Sequence, residues 1–166
     1  ISKIPYLSNQ IFGSYYKELH ENFQGTIRYN INSINTISGN KDIKLSDRKF
    51  LSDNYLRGFT YRNYGPKVDG DYIGGNYSYA STFASSFPNG FPDKWNATSN
   101  LFLDVGNIWG VDFSGATDAS KIRSSLGVGF SWRSPIGPLS ISYAEPLSKH
   151  KSDKTEKFNF KLGGMF

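Results

Sequence analysis

An all-β fold, and within it an antiparallel, up-and-down transmembrane β-barrel segment, is what this sequence predicts. Three observations carry the prediction. Several stretches alternate apolar with small or polar side chains, the period of two that sends neighbours to opposite faces of a strand. Aromatic residues make up 16% of the chain, with 11 Tyr and 13 Phe. With Val, Ile, Thr and Ser they fill the patterned stretches, whereas the helix formers Leu and Ala are sparse. Finally, the mean hydropathy is only -0.48. No run is long enough for a transmembrane helix, but a barrel wall turns only every second residue to lipid and keeps its mean hydropathy low.

The elements follow in order. A first strand is expected within Pro5 to Leu19, and a second where Ile27, Tyr29 and Ile31 alternate with Arg28, Asn30 and Asn32. From 39 to 73 charges, Asn, Gly and Pro collect and no alternation persists, which reads as one long loop; loops of that length are usually functional. Tyr77, Tyr79, Phe83 and Phe87 then alternate with Ser78, Ala80, Thr82 and Ala84. Leu101, Leu103 and Val105 alternate with Phe102, Asp104 and Gly106. Ile122, Leu126, Val128, Phe130 and Trp132 oppose Arg123, Ser125, Gly127, Gly129, Ser131 and Arg133. After the turn Ser134-Pro135-Ile136-Gly137-Pro138, Leu139, Ile141 and Tyr143 oppose Ser140, Ser142 and Ala144. A terminal strand is expected over 155–166, where Phe158, Phe160, Leu162 and Phe166 alternate with Asn159, Lys161 and Gly163. The short turns and the long loop should lie at opposite ends of the wall.

A soluble antiparallel sandwich alternates too. Against it stand a small-residue face too poor in charge for open solvent, aromatics near the strand ends, and a final aromatic closing the last strand. The chain has no cysteine, so neither a disulfide nor a thiolate metal site is possible. Its net charge of +5 is scattered, without the basic block that marks nucleic-acid binding. It opens Ile1-Ser2-Lys3, without a Met or a signal peptide, and is expected to be a mature or excised piece.

An ordered series of motifs sharpens the reading. Leu56-Arg57-Gly58-Phe59 is followed by Gly65-Pro66-Lys67, Ile73-Gly74-Gly75-Asn76 and Leu101-Phe102-Leu103-Asp104-Val105-Gly106-Asn107-Ile108-Trp109. Then come Ile122-Arg123-Ser124-Ser125-Leu126-Gly127, Ser134-Pro135-Ile136-Gly137-Pro138-Leu139, Tyr143-Ala144-Glu145-Pro146-Leu147 and Phe158-Asn159-Phe160 before Phe166. In type and order the series, covering Leu56 to Phe166, resembles the end of the BamA family of outer-membrane assembly factors.

The resemblance implies about the last seven strands of a sixteen-stranded barrel, with residues 1–166 as the C-terminal part of that barrel and periplasmic POTRA domains outside this chain. It implies that the loop over 39–73 folds back into the lumen and that Leu56, Arg57, Gly58 and Phe59 form its tip. Arg57 would pair with an acid on the inner wall. Asp104 falls on the small-residue face, where a guanidinium fork and a carboxylate can pair in two places. At Ala84 the family usually carries a Glu, so the charge expected there is missing. The terminal run resembles the signal that barrel precursors present, with Phe158, Phe160, Leu162 and Phe166 as alternate anchors and Gly163 and Gly164 weakening the seam with the first strand.

The function implied is the folding and insertion of other barrels into the bacterial outer membrane. The partners implied are outer-membrane lipid, unfolded barrel precursors and, through the POTRA domains, periplasmic lipoproteins. A passenger-exporting or lipase-tethering relative and a plain structural porin are the alternatives. No catalytic constellation, cofactor site or metal site is expected. His20 is expected in a turn, His150, Asp153 and Glu156 read as solvated loop groups, and Asp112 and Asp118 lack ordered calcium-loop spacing. An isolated sheet of this size leaves two bare edges, so the chain alone is expected to form a homo-oligomer.

Overall fold

The computed structural model describes residues 5–37, 42–92, 95–112, 114–118, 120–135 and 137–163. Twelve elements follow one another along them. They are β1 (Tyr6–His20), β2 (Phe23–Thr36), a 3-10 turn (Leu45–Asp47), β3 (Gly58–Phe59), β4 (Lys67–Val68), β5 (Asp71–Tyr72), β6 (Tyr77–Phe87), β7 (Ala97–Trp109), β8 (Arg123–Ser134), β9 (Gly137–Ser148), β10 (Thr155–Glu156) and β11 (Phe158–Leu162). Seven of the strands form one antiparallel sheet in the order β1-β2-β6-β7-β8-β9-β11, which leaves β1 and β11 as its edges. Every neighbour in that sheet is also a neighbour along the chain once the loop strands are set aside, the up-and-down meander expected from the alternation.

Register fixes which side chains share a face. Arg28 pairs with Thr82, Thr82 with Asp104, and Asp104 with Ser125, so one row of polar residues crosses four strands. This inner face holds the fully buried Ser78, Ala80, Phe102, Asp104, Ser125 and Ala144. On the other face Leu101, Leu126, Val128, Ile141, Phe158, Phe160 and Leu162 are exposed. Apolar side chains outside and small or polar ones inside are the reverse of a soluble sheet, and they suit a wall between lipid and lumen. Aromatic pairs gather at both rims. Tyr77 and Trp109 stack where β6 begins and β7 ends, while Phe91, Trp95, Phe130 and Trp132 cluster at the opposite rim.

Between β8 and β9 the register slips: Ser124 pairs with Ser148 but Ser125 with Pro146, leaving Leu147 as a bulge. Pro146 has no N–H to give a ladder, and a bulge is where a sheet tolerates it.

The stretch expected as a long irregular loop carries short ladders of its own. β4 pairs with β5, Lys49 bridges to Gly75, and Lys67 bridges to Thr117. The loop lies against the inner face, where Leu51, Leu56, Phe59 and Tyr64 pack with the wall residues Ala80 and Ile108 in one buried cluster. The strand expected over 155–166 is divided. Phe158–Leu162 pair with β9, whereas Thr155–Glu156 leave the sheet and pair with Gly58–Phe59 at the loop tip. Both halves read as extended, and the tip supplies the second edge that separates them.

Candidate functional site

The tip of the long loop is shaped by two left-handed residues. Leu56 has φ 57 and Gly58 φ 91. A left-handed non-glycine is costly, and it is held here because the Leu56 side chain lies in the buried cluster. Gly58 has no alternative: a Cβ there would stand 3.2 Å from both the Cβ and the backbone oxygen of Ala144. The tip therefore presses against β8 and β9.

Between these two residues Arg57 turns inward onto Asp104. Its Nε donates to Oδ2 at 2.8 Å, its Nη2 to Oδ1 at 2.9 Å, and its backbone N–H to Oδ2 at 3.0 Å. Thr82, across the ladder, donates its hydroxyl to Asp104 Oδ1 at 2.8 Å. Ser125 Oγ donates to the Arg57 backbone oxygen. The guanidinium lies 3.2 Å from the centroid of the Phe102 ring, a cation over an aromatic face. Phe102 can lie along the wall because its ladder partner is Gly127; a Cβ there would come within 2.5 Å of the ring. Arg57 is 4% exposed and Asp104 not at all. Two buried charges are tolerated only when paired and hydrogen-bonded, and here both are.

Ala84 occupies the inner face opposite Thr26 and Phe102. It lines a cavity of about 150 Å³ together with Arg28, Arg57 and Asn100. Arg28 lies 5.6 Å from the centroid of the Tyr55 ring, and its Nη2 reaches the Asn54 oxygen only at 3.5 Å.

Two further ion pairs tie the loops to the wall. Arg123, wholly buried on β8, makes a two-point contact with Asp153 at 2.8 and 2.9 Å and donates to Asn107 Oδ1 at 2.8 Å. Asp153 also accepts the His150 N–H at 2.7 Å. The expectation that Asp153 is a solvated charge is thus corrected, because its side chain has no exposure. The signal available in the sequence was Arg123 on an inner face, where a cation needs a carboxylate. Glu156 remains exposed. Arg48 pairs with Asp112 at 2.7 Å, and Asp112 accepts the Ile43 N–H at 2.9 Å. Burial alone would raise the Asp112 pKa. The backbone N–H groups of Ile43 and Asp112 itself, with the Arg48 guanidinium, outweigh that and hold it below its usual 3.8. Asp118 accepts the Gly110 N–H at 2.8 Å, and His150 Nδ1 lies 2.8 Å from Ser152 Oγ. Among the described residues no three acidic, His or Cys side chains gather as a metal site.

The outward side chains of the terminal strand lie apart from this anchor. Phe158, Phe160 and Leu162 point outward from β11 opposite Tyr143, Ile141 and Leu139. Gly163 is left-handed and donates its N–H to Pro138. Gly164 and Phe166 lie outside the described residues. The structure thus brings Leu56, Arg57, Gly58, Phe59 and Asp104 into one site and turns Phe158, Phe160 and Leu162 to the opposite face of the sheet.

Residues 1–166 match the model of the Omp85 superfamily domain. The outer membrane protein assembly factor BamA of Neorickettsia risticii is 31% identical over 128 residues, which are 75% of this chain and 17% of that protein. BamA of Neisseria meningitidis is 30% identical over 139 residues, 67% of this chain and 17% of that protein. The human sorting and assembly machinery component 50 homolog is 27% identical over 131 residues, 70% of this chain and 28% of that protein. The crystal structure of BamA from Haemophilus ducreyi lacking POTRA domains 1-3 superimposes with a TM-score of 0.84 at 25% identity, over 94% of this chain and 34% of that one. The chain thus spans less than a fifth of the BamA relatives' length. With its outward apolar face, its two aromatic rims and the match along its whole length, the chain belongs to the Omp85 superfamily, as a BamA-like β-barrel segment of the bacterial outer membrane.

Proposed function

We propose that this segment is part of a machine that folds and inserts β-barrel proteins into the outer membrane. The observation that carries the reading is the loop tip fixed to the wall by Arg57 and Asp104, beside a terminal strand that is an edge of the sheet among the described residues. The relatives named as assembly factors support it. The action needs no covalent chemistry. An incoming precursor strand adds to an exposed sheet edge through backbone hydrogen bonds, and alternate side chains such as Phe158, Phe160 and Leu162 set the register. The weak seam is the one between β11 and the barrel's first strand, which lies outside this chain. The anchored loop keeps the wall in shape while that seam opens. Lipid and unfolded precursors are the partners of this act, and lipoproteins would join through domains beyond this chain. The isolated segment, with both edges bare, self-associates.

The test uses the full-length protein in proteoliposomes with an unfolded barrel precursor, scored by the heat-resistant folded band. A disulfide locking the last strand to the first should stop precursor folding, and reduction should restore it. Precursor folding at an undiminished rate in the locked protein would refute the reading.

A further inference from the structure

Among the described residues β11 pairs with β9 over Phe158–Leu162 and stands at the edge of the sheet. An edge strand is held from one side of the sheet, so contacts from its face matter to it. Those contacts come from the lumen side. Thr155–Glu156, just before β11, pair with Gly58–Phe59 of the loop tip. Thr60 N–H donates to the Lys154 oxygen and Lys154 N–H to the Asn63 oxygen, both at 3.0 Å. Within β11 itself Lys161 faces inward opposite the buried Ser140. Its Nζ donates to Asn54 Oδ1 at 2.6 Å and lies 3.1 Å from Asp53 Oδ2. Asp53 and Asn54 stand just ahead of Arg57, which is fixed to the wall through Asp104.

We infer that Lys161 is a positioning residue and that the lumen loop braces the last strand through it. The path runs from the wall at Asp104 to Arg57, along the chain to Asp53 and Asn54, and across to Lys161. Its first link is dry, with side chains 2% and 0% exposed. Its last link is the weaker one, because the Asp53 side chain is 49% exposed and water and salt screen it. The brace is therefore built to release at Asp53 while the loop stays fixed at Asp104. The geometry stands by itself; the consequence, that the loop sets how readily the last strand moves, rests on the assembly reading.

The test is hydrogen exchange on the full-length protein in lipid nanodiscs, comparing residues 158–162 with residues 123–134. Asp53→Asn and Lys161→Gln should each speed exchange in 158–162 about three- to tenfold and leave 123–134 unchanged. The charge swap Asp53→Lys with Lys161→Asp should bring exchange back to within about twofold of wild type. Raising salt from about 0.05 to 0.5 M should speed exchange of 158–162 in wild type but not in Asp53→Asn. Unchanged exchange in 158–162, an equal rise in 123–134, or no recovery in the swap would overturn the inference. Precursor folding is not read here, so failure of the assembly reading and failure of the brace give different results.

Discussion

Arg57 and Asp104 form a buried charge pair, and removing either partner strands the other in a dry site. Arg57→Ala and Asp104→Ala should each cost roughly 3–5 kcal/mol of loop anchoring, read as faster hydrogen exchange in residues 51–59. Replacing both by apolar residues, Arg57→Met with Asp104→Leu, should cost less than either single change, since no unpaired charge remains. Gly127→Val should push Phe102 out from beneath the guanidinium and cost about 1–3 kcal/mol in thermal stability. Asp112 titrates lower in the fold than out of it. Its contribution is complete above the ordinary 3.8 and is lost as pH falls through the lower folded value, so segment 42–48 should loosen only below about pH 4. The Arg57 pair was legible because the family resemblance implied an acidic partner for Arg57 and strand parity put Asp104 on the face that could supply it. The Arg123 pair was only half legible. Parity placed Arg123 inside, but its partner comes from a polar loop 30 residues on, where nothing separates a buried carboxylate from a solvated one.

The long strands were legible because one face is mostly apolar, and a slip by one residue would turn that whole face inward. The long loop was legible as a loop and not as a structure. Its order comes from contacts with the wall, such as Leu51 and Leu56 against Ala80 and Ile108, and those have no period along the chain. The division of the terminal run into β10 and β11 was hidden for the same reason, because Thr155 and Glu156 take their partner from the loop tip. At this scale the loops tether one another. Lys154 bonds to Asn63, and Asp153 anchors to Arg123. Asp153→Ala should therefore free residues 149–154 to protease while the core strands β6 to β8 keep their protection, checked by limited proteolysis with mass spectrometry.

At the largest scale the described residues form a sheet with an apolar outer face, a polar inner face covered by the chain's own loop, and β1 and β11 as its edges. Such an object is stable where lipid covers the outside and further strands cover the edges. The isolated chain should stay soluble only in detergent and run larger than its 18.6 kDa by light scattering. The most direct measurement of the lipid-facing wall is a spin-label scan. Single cysteines would be placed one at a time at Leu101, Leu126 and Val128 on the outer face, and at Lys121 in a loop, in a cysteine-free version of the full-length protein in bilayers. The account predicts that dissolved oxygen reaches the three wall labels while a water-soluble nickel chelate does not, with the reverse at Lys121. Nickel reaching Leu126 and Val128 as readily as Lys121 would contradict it, since those side chains would then face water.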